Sequence, residues 1–288
     1  MSATWALAAS TLGVLEEDLA TTVGVLQRHG AGGVELRSAE GAFVHTGLDD
    51  AQRAAVRARF ADAGIEVFAV ASQVRIAAAG DDAEVVDQLS AELRLAADLG
   101  ARHVRVFPGA PAARVPSDQV PPLEEDVEVV DARAAGRLQR VAALAEELGV
   151  WPALETHDSH PRGQDTARVL AALDRLAPGH SVGAIWDVLH PWRVGESLED
   201  SAAHLLPHVL DGRGYVQIKD VAHPADTTPV LQGSGAVPAV RFLELLDAGG
   251  YRGPVSLEWE RFWYPQVPSL DDALGAVAAQ LAAYRPRA

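Results

Sequence analysis

Short apolar segments alternate with longer amphipathic stretches along the whole chain. The short segments are rich in Val, Ile, Leu and Ala, as is typical of buried strands. They predict strands near residues 4–10, 33–37, 66–72, 102–107, 151–155, 181–187, 214–219 and 255–259. The stretches between them have the spacing of apolar positions expected of helices that cover a sheet. They predict helices near residues 15–28, 49–64, 82–99, 127–149, 164–176, 197–210, 237–248 and 269–284.

Eight strand–helix pairs predict an α/β fold, one parallel (β/α)8 TIM barrel that takes up residues 1–288 as a single domain. Length alone would suggest roughly two domains, but barrels of this class routinely use about 250 residues or more as one. Gly64, Gly100 and Gly149 follow predicted helices, where glycine commonly ends a helix. The proline-rich segment 108–126 is the longest irregular one, and we expect a solvated connection there rather than a cover over the barrel rim.

Alternate positions within the strands differ in chemistry. One set is apolar and should pack against the surrounding helices; it includes Val34, Leu36, Val104, Val106, Leu154, Trp186, Val216 and Leu257. The other set should point into the barrel and contains Glu35, Arg37, Arg105, Glu155, His157, Asp187, Gln217, Lys219 and Glu258. Because an unpaired charge inside a barrel costs several kcal/mol, these side chains need ion-pair partners or a cation.

Four of the inward residues stand at or near strand ends: Glu155, Asp187, Gln217 and Glu258. The carboxyl ends of barrel strands converge on one rim, which is where TIM-barrel enzymes place their active sites. Three carboxylates and an amide around one point predict a divalent cation. The alternative is a structural layer of ion pairs in which Arg37 and Arg105 neutralise the glutamates. Taken singly, Asp187 could also cap a helix.

Composition limits the partners and the ligands. The net charge of −16 argues against a nucleic-acid surface, because phosphate binding needs clustered Lys and Arg. The chain has no cysteine, so any metal must be held by oxygen or imidazole. The N-terminus lacks the basic segment of a signal peptide, and no apolar run reaches the ~18–20 residues of a membrane span. We therefore expect a cytoplasmic protein with no membrane partner.

Short motifs follow four of the strands in the second half of the chain. They read Glu155-Thr-His157, Trp186-Asp187-Val-Leu-His190-Pro, Val216-Gln217-Ile-Lys219-Asp220 and Ser256-Leu-Glu258-Trp-Glu260. These motifs, and the Gly233-Ser-Gly235 loop, resemble those of the sugar phosphate isomerase/epimerase family of xylose isomerase-like TIM barrels. The resemblance implies one divalent ion on Glu155, Asp187, Gln217 and Glu258, and isomerisation or epimerisation of a small sugar, ketose or polyol-derived carbonyl compound. The family often forms dimers or tetramers, so a homo-oligomer is one option, and the sequence leaves the oligomeric state open.

One position departs from the family pattern. Most members have His where this chain has Gln217, although branches such as the hydroxypyruvate isomerases use Gln. An amide completes an all-oxygen shell, which favours Mn²⁺ or Mg²⁺, with Co²⁺ or Zn²⁺ as alternatives. A Gln217 that turned away would leave three carboxylates and a weaker site.

The expected mechanism is proton transfer beside a carbonyl through a metal-stabilised enediolate. Glu155 and Glu258 are the predicted acid/base pair, one on each face of the substrate. His190 is predicted to bind a substrate oxygen or a metal-bound water, with a capping role as the alternative. Lys219 could neutralise enediolate charge or pair with Glu35 or Asp187. The full set of predicted substrate-binding residues is His190, His157, Lys219, Glu35 and Arg105.

Other functions are compatible with parts of the pattern. A dehydratase would share the first chemical step and then expel a hydroxyl group, and a noncatalytic sugar-binding protein would keep the pocket without turnover. A glycosidase could use Glu155 and Glu258, but Asp187 and Gln217 would then have no role. The apurinic endonucleases of the same barrel family bind several zinc ions through additional histidines, and Phe107 stands where they have one. For Gly233–Gly235, a plain turn is favoured over a phosphate-binding loop.

Overall fold

In a computed structural model, which describes residues 5–14 and 18–285, eight parallel strands close into a barrel. They are β1 (Leu7–Ser10), β2 (Gly33–Arg37), β3 (Glu66–Arg75), β4 (His103–Phe107), β5 (Trp151–Glu155), β6 (Gly183–Asp187), β7 (Tyr215–Ile218) and β10 (Val255–Leu257). Around the barrel their order is β1-β10-β7-β6-β5-β4-β3-β2. Two short strands after β7, namely β8 (Asp220–Val221) and β9 (Pro229–Val230), form an antiparallel pair. The predicted (β/α)8 barrel is confirmed.

Helices cover the outside of the barrel. They are α1 (Leu19–Arg28), α2 (Asp50–Asp62), α3 (Asp82–Leu99), α4 (Val127–Leu148), α5 (Gly163–Leu176), α6 (Leu189–Arg193), α7 (Leu198–Val209), α8 (Ala239–Ala248) and α9 (Leu270–Ala283), with 3-10 turns at Thr11–Val14 and Leu210–Gly212. Among these, none is long and apolar enough to cross a membrane.

The predicted elements agree with the observed ones except at a few boundaries. The sequence pattern missed α6, a single turn directly after β6, and it ended β3 three residues too early. Parts of the first predicted strand and helix, at residue 4 and residues 15–17, lie outside the described residues, as do both ends of the predicted domain at 1–3 and 286–288.

Local chemistry explains where the helices start and stop. Gly100 and Gly149 cap α3 and α4 with φ of 82° and 65°, a left-handed conformation that costs glycine little. Asp49 and Gln52 form a reciprocal capping box at the start of α2, which satisfies backbone N–H groups that have no partner within the helix.

The strand alternation separates two cores. The helix-facing residues join the main core between barrel and helices, where Trp186 packs edge-on against Phe242 of α8 at 4.8 Å between ring centroids. A smaller apolar cluster fills the lower barrel: Ala8, Phe68, Ala69, Ala153, Ile185 and Tyr215. Three of its members precede a candidate ligand by two residues on the same strand face. The polar residues therefore lie at the carboxyl ends of the strands, directly beyond this layer of buried apolar side chains.

Candidate metal centre and active site

The four predicted ligands lie at the carboxyl end of the barrel. Glu155 and Asp187 end β5 and β6, Gln217 is the third residue of β7, and Glu258 follows β10. Carboxylate oxygens of Glu155, Asp187 and Glu258 lie within 4.8 Å of one another, and the backbone register places Gln217 opposite Asp187. All four residues are buried. The structure thus brings together side chains that are about a hundred positions apart in the sequence.

Several oxygens of this cluster have no hydrogen-bond donor among the described residues. They are both carboxylate oxygens of Glu155 and Oε1 of Gln217, although the Nε of Arg105 lies 3.4 Å from Glu155 Oε2. A buried acceptor without a hydrogen bond costs about 1–3 kcal/mol, so three in one cluster indicate a missing partner. Oxygen atoms of this kind are the ligands that Mg²⁺ and Mn²⁺ prefer. The residues present therefore fit a hard divalent ion.

A second set of potential ligands shares Glu155. Ligand atoms of Glu155, His157 and His190 also lie within 4.8 Å of one another, and two imidazoles would suit zinc or cobalt. His190 Nε2, however, lies 3.3 Å from the Lys219 ammonium. The same ammonium lies 2.9 Å from Asp187 Oδ2 and 2.5 Å from Glu258 Oε2 of the first set, so its position does not discriminate between the two sets.

Lys219 supplies a positive charge inside the cluster. Its Nζ lies 2.9 Å from Asp187 Oδ2, 2.5 Å from Glu258 Oε2 and 2.9 Å from Glu260 Oε1. The sequence predicted Glu35 or Asp187 as an ion-pair partner of Lys219. Of these two, Asp187 is a partner in the structure and Glu35 is not among the partners described. Sequence reasoning missed Glu260, although it stands two residues after Glu258 and therefore continues the same face of the chain.

Arg105 is a second buried cation, and its contacts are with other protein groups rather than with the cavity. Its Nη1 donates to Glu258 Oε1 at 2.9 Å, and its Nε lies 3.4 Å from Glu155 Oε2. The guanidinium also lies over the Phe107 ring at 4.2 Å. The alternative of a structural ion-pair layer thus applies to Arg105. It does not apply to Arg37, whose guanidinium lies over the Phe262 ring at 5.5 Å.

Burial and these cations set the charges of the carboxylates. Burial raises the pKa of Glu155 to about 8, although Arg105 opposes the shift. Burial likewise raises the pKa of Asp187 to about 6 against the opposing charge of Lys219. Burial would also raise the pKa of Glu258, but Lys219 and Arg105 outweigh it and lower that pKa to about 2. Two glutamates that face the same space therefore differ strongly in acidity.

Glu35 lies beneath the cluster rather than in it. Its Oε1 accepts from Tyr215 Oη at 2.7 Å, and its Oε2 accepts from Ser256 Oγ at 3.1 Å. Gln217 Nε2 lies 3.1 and 3.2 Å from the two oxygens. Since the amide nitrogen is held by Glu35, the amide oxygen faces the other way, where it is buried and has no hydrogen-bond partner among the described residues. Glu35 thus contacts a predicted ligand, and its contact with substrate stays a prediction.

The two predicted histidines stand side by side at the rim. Their ring centroids are 4.5 Å apart. Burial and the charge of Lys219 lower the pKa of His190 well below its usual value, so the neutral ring accepts from Lys219. Burial would lower the pKa of His157 too, but Asp158 and Glu155 outweigh it and raise that pKa. His157 Nδ1 lies 3.6 Å from Asp158 Oδ2, a contact that orients the ring.

A cavity of about 580 Å³ lies next to the cluster; it is lined by His157, His190, Lys219 and Glu260, and the four predicted ligands are not part of its lining. Its size is ordinary for a small-molecule site. Residues of the segment 108–126, among them Ala112, Arg114 and Pro121, form part of its wall. The expectation of a merely solvated connection was wrong, because the backbone N–H groups of Gly109 and Ala110 are tied to the side chains of Asp158 and Ser159 beside the site.

The Gly233–Gly235 loop is a turn held by a carboxylate. Asp220 Oδ2 accepts from the N–H groups of Gly233 and Gly235, each at 2.9 Å, and its Oδ1 accepts from Val237 N–H at 3.1 Å. A Cβ on Gly235 would stand 2.2 Å from Asp220 Oδ1. These N–H groups are therefore committed to Asp220, which supports the favoured interpretation as a turn.

The barrel fold agrees with the family that sequence comparison finds. The family model described as xylose isomerase-like TIM barrel matches residues 23–282. The chain belongs to this family, as its motifs indicated. No curated protein matches it in sequence.

Solved structures of similar shape include several barrels of this kind. A xylose isomerase domain protein from Alicyclobacillus acidocaldarius is 24% identical, with a TM-score of 0.69 and coverage of 96% of this chain and 97% of that one. The IolI protein, solved with a zinc atom, is 18% identical, with a TM-score of 0.73 and 96% coverage of both chains. D-psicose 3-epimerase, solved with D-fructose, is 14% identical, with a TM-score of 0.74 and coverage of 96% and 98%. At these identities the likeness shows the fold alone.

Proposed function

We propose that the protein is a divalent-metal-dependent isomerase or epimerase of a small sugar, ketose or related carbonyl compound. The observation that carries the proposal is the cluster of buried carboxylates on Glu155, Asp187 and Glu258, in which oxygens of Glu155 and the neighbouring Gln217 have no hydrogen-bond donor among the described residues. Family membership makes an enzyme the expected kind of protein, and the epimerase among the structural relatives favours a ketose substrate.

Glu155, Asp187, Gln217 and Glu258 would hold the ion. We favour Mn²⁺ or Mg²⁺ for this all-oxygen set, with Co²⁺ or Zn²⁺ as alternatives; the IolI relative contains zinc. When bound, the ion would supply Lewis-acid stabilisation of negative charge on the substrate oxygens.

The protein's own residues would then move the proton. Glu155 and Glu258 approach the space above the cluster from β5 and β10, which lie three strands apart around the barrel. One, ionised, removes and keeps the proton from the carbon beside the carbonyl, and the other, protonated, delivers its own proton to a neighbouring carbon or to the opposite face of the same carbon. Lys219 stabilises the charge of the enediolate that forms between the two steps. Neutral His190 accepts a hydrogen bond from a substrate hydroxyl or from Lys219.

Two groups act through these residues. Glu35 fixes the amide of Gln217 with its oxygen toward the cluster, which makes Glu35 a positioning residue. Arg105 holds Glu155 and Glu258 in place through the contacts at 3.4 and 2.9 Å and is likewise assigned to positioning rather than to substrate binding. His157, oriented by Asp158, remains a proposed substrate contact at the cavity wall.

Proton exchange in heavy water tests the proposal. The Mn²⁺-loaded protein would be incubated with a panel of ketoses, beginning with D-fructose and D-psicose, and the loss of the proton beside the carbonyl followed by NMR. We expect exchange with at least one ketose, and its loss in Glu258→Gln and in Glu155→Gln. The matched control is Glu92→Gln, the same change at a buried glutamate on α3. Exchange that persists in both site variants would remove the two glutamates from the acid/base role.

The same incubation separates an isomerase from a dehydratase. An isomerase or epimerase returns a product of unchanged mass apart from deuterium, whereas a dehydratase releases water from the substrate. Mass spectrometry of the products distinguishes the two.

A further inference from the structure

The wall of the cavity is basic, although the chain as a whole carries a net charge of −16. Four basic side chains line it against two acidic ones: Arg75, Arg114, Arg193 and Lys219, with Asp158 and Glu260. The three carboxylates beneath, on Glu155, Asp187 and Glu258, would be balanced by Arg105 and a divalent ion. With the ion bound, the cavity keeps an excess of positive charge in a strongly acidic protein.

This excess belongs to the arginines and not to Lys219, whose ammonium is surrounded by carboxylates. Arg114 has no hydrogen bond or ion pair in the part of the chain that the structure describes. Arg75 has one distant ion-pair partner, Asp158, with its Nη1 4.0 Å from Oδ2. That carboxylate already accepts the Gly109 N–H at 2.9 Å.

Arg193 is the third cation of the wall, and it is partly used. Its Nε donates to the Pro224 carbonyl at 3.2 Å and its Nη2 donates to the Asp226 carbonyl. These contacts fix the guanidinium at the cavity, where the charges of Asp187, Glu260 and Asp118 also act on it. Within residues 5–14 and 18–285, its Nη1 has no hydrogen-bond partner.

We propose that the substrate carries an anionic group, a phosphate or a carboxylate, which Arg75 and Arg114 bind at the cavity mouth with support from Arg193. The proposal rests on the proposed function, because the other end of the substrate would lie over Glu155 and Glu258. A guanidinium matches the paired oxygens of either anion with two parallel hydrogen bonds. A neutral sugar would make no charged contact with these guanidinium groups.

Binding of three matched compounds tests this inference. D-fructose is neutral, D-fructose 6-phosphate carries a phosphate at carbon 6, and D-fructuronate carries a carboxylate there. Their dissociation constants would be measured by calorimetry on the metal-loaded wild type, on Arg75→Gln/Arg114→Gln and on Arg94→Gln/Arg140→Gln. The last variant removes two exposed arginines from outside the cavity lining.

We expect at least one anionic compound to bind the wild type about tenfold or more tightly than D-fructose. The preference should vanish in the Arg75/Arg114 variant and persist in the control, and the compound that shows it identifies phosphate or carboxylate. Equal binding of all three compounds, or a preference that survives in the Arg75/Arg114 variant, overturns the inference. Metal content and exchange with D-fructose, measured on the same samples, report separately on the proposed function.

Discussion

Gln217 and Glu35 are joined by a hydrogen bond that decides which end of the amide faces the candidate metal centre. Gln217 Nε2 lies 3.1 and 3.2 Å from the two oxygens of the Glu35 carboxylate. A carboxylate only accepts hydrogen bonds, so it selects the nitrogen and leaves the oxygen toward the cluster. This is how a residue type that departs from the family's histidine can still provide a ligand.

Glu35→Gln should weaken metal binding. A glutamine at position 35 can donate as well as accept, so the amide of Gln217 becomes free to turn its nitrogen toward the ion. Loss of a group that orients a ligand typically costs 10–100-fold in metal affinity, and we expect about tenfold here. The Mn²⁺ dissociation constant would be measured by electron paramagnetic resonance, with Glu92→Gln as the control. An unchanged constant in Glu35→Gln would show that Glu35 does not orient the ligand.

Lys219→Met should destabilise the metal-free protein. Lys219 is buried among Asp187, Glu258 and Glu260, and removing one partner of a buried ion pair costs about 3–5 kcal/mol. A divalent ion can replace the lost charge, so Mn²⁺ should raise the thermal midpoint more in this variant than in the wild type. Thermal unfolding with and without Mn²⁺ measures both effects. Arg140→Met, which removes an exposed cation, should behave like the wild type. If Mn²⁺ raised the thermal midpoint of Lys219→Met no more than that of the wild type, the proposal that the ion replaces the lost charge would be contradicted.

Glu92 should make stability fall as the pH rises. Burial raises its pKa from 4.5 to about 7, and only a hydrogen bond from Ser38 opposes the shift. The folded state therefore keeps a proton that the unfolded state has released, and this contribution to stability is complete below pH 4.5 and lost as the pH rises through about 7. The loss is at most about 3 kcal/mol.

The variant Glu92→Gln has no proton to lose, so its free energy of unfolding should match that of the wild type near pH 4.5 and exceed it at pH 8. Urea unfolding at several pH values measures the difference between the two proteins, in which the contributions of other groups cancel. Parallel pH profiles would show that Glu92 titrates normally.

Asp220→Asn should loosen the turn after β9. The Asp220 carboxylate accepts N–H groups from Gly233, Gly235 and Val237, and hydrogen bonds to a charged acceptor contribute about 1.5–3 kcal/mol each. The amide keeps one acceptor oxygen, so we expect a loss on the order of 2 kcal/mol in urea unfolding. Asp226→Asn, at an exposed neighbouring carboxylate, should cost little. A loss equal to that of the control would mean that the turn does not depend on the carboxylate.

Periodicity predicted the barrel well because two independent signals agree in this chain. Apolar positions alternate along the strands and recur with helical spacing between them, and the glycines at 100 and 149 stop helices where the pattern ends. The alternation also placed Glu155, Asp187, Gln217 and Glu258 on one inward face, where the structure has them.

The contacts between residues of different strands could not be predicted in the same way. Strand phase shows that Glu35 and Arg105 point inward, but not at which height they meet other side chains. Their partners depend on the stagger of neighbouring strands, which shifts between Val34 and Glu35 and again between Ala71 and Arg75. The path of the segment 108–126 could not be predicted for a related reason. Its first residues are held by side chains of the turn after β5, which is far from them in the sequence.

The central claim is that Glu155, Asp187, Gln217 and Glu258 hold one divalent ion, and metal stoichiometry tests it most directly. Wild type, Asp187→Asn and Glu92→Gln would be stripped with a chelator, reconstituted with Mn²⁺, desalted and measured by elemental analysis. We predict about one Mn²⁺ per chain in the wild type and in Glu92→Gln, and a large loss in Asp187→Asn. No retained ion in the wild type, or equal retention in all three proteins, would contradict the claim and leave the inward carboxylates with a structural role.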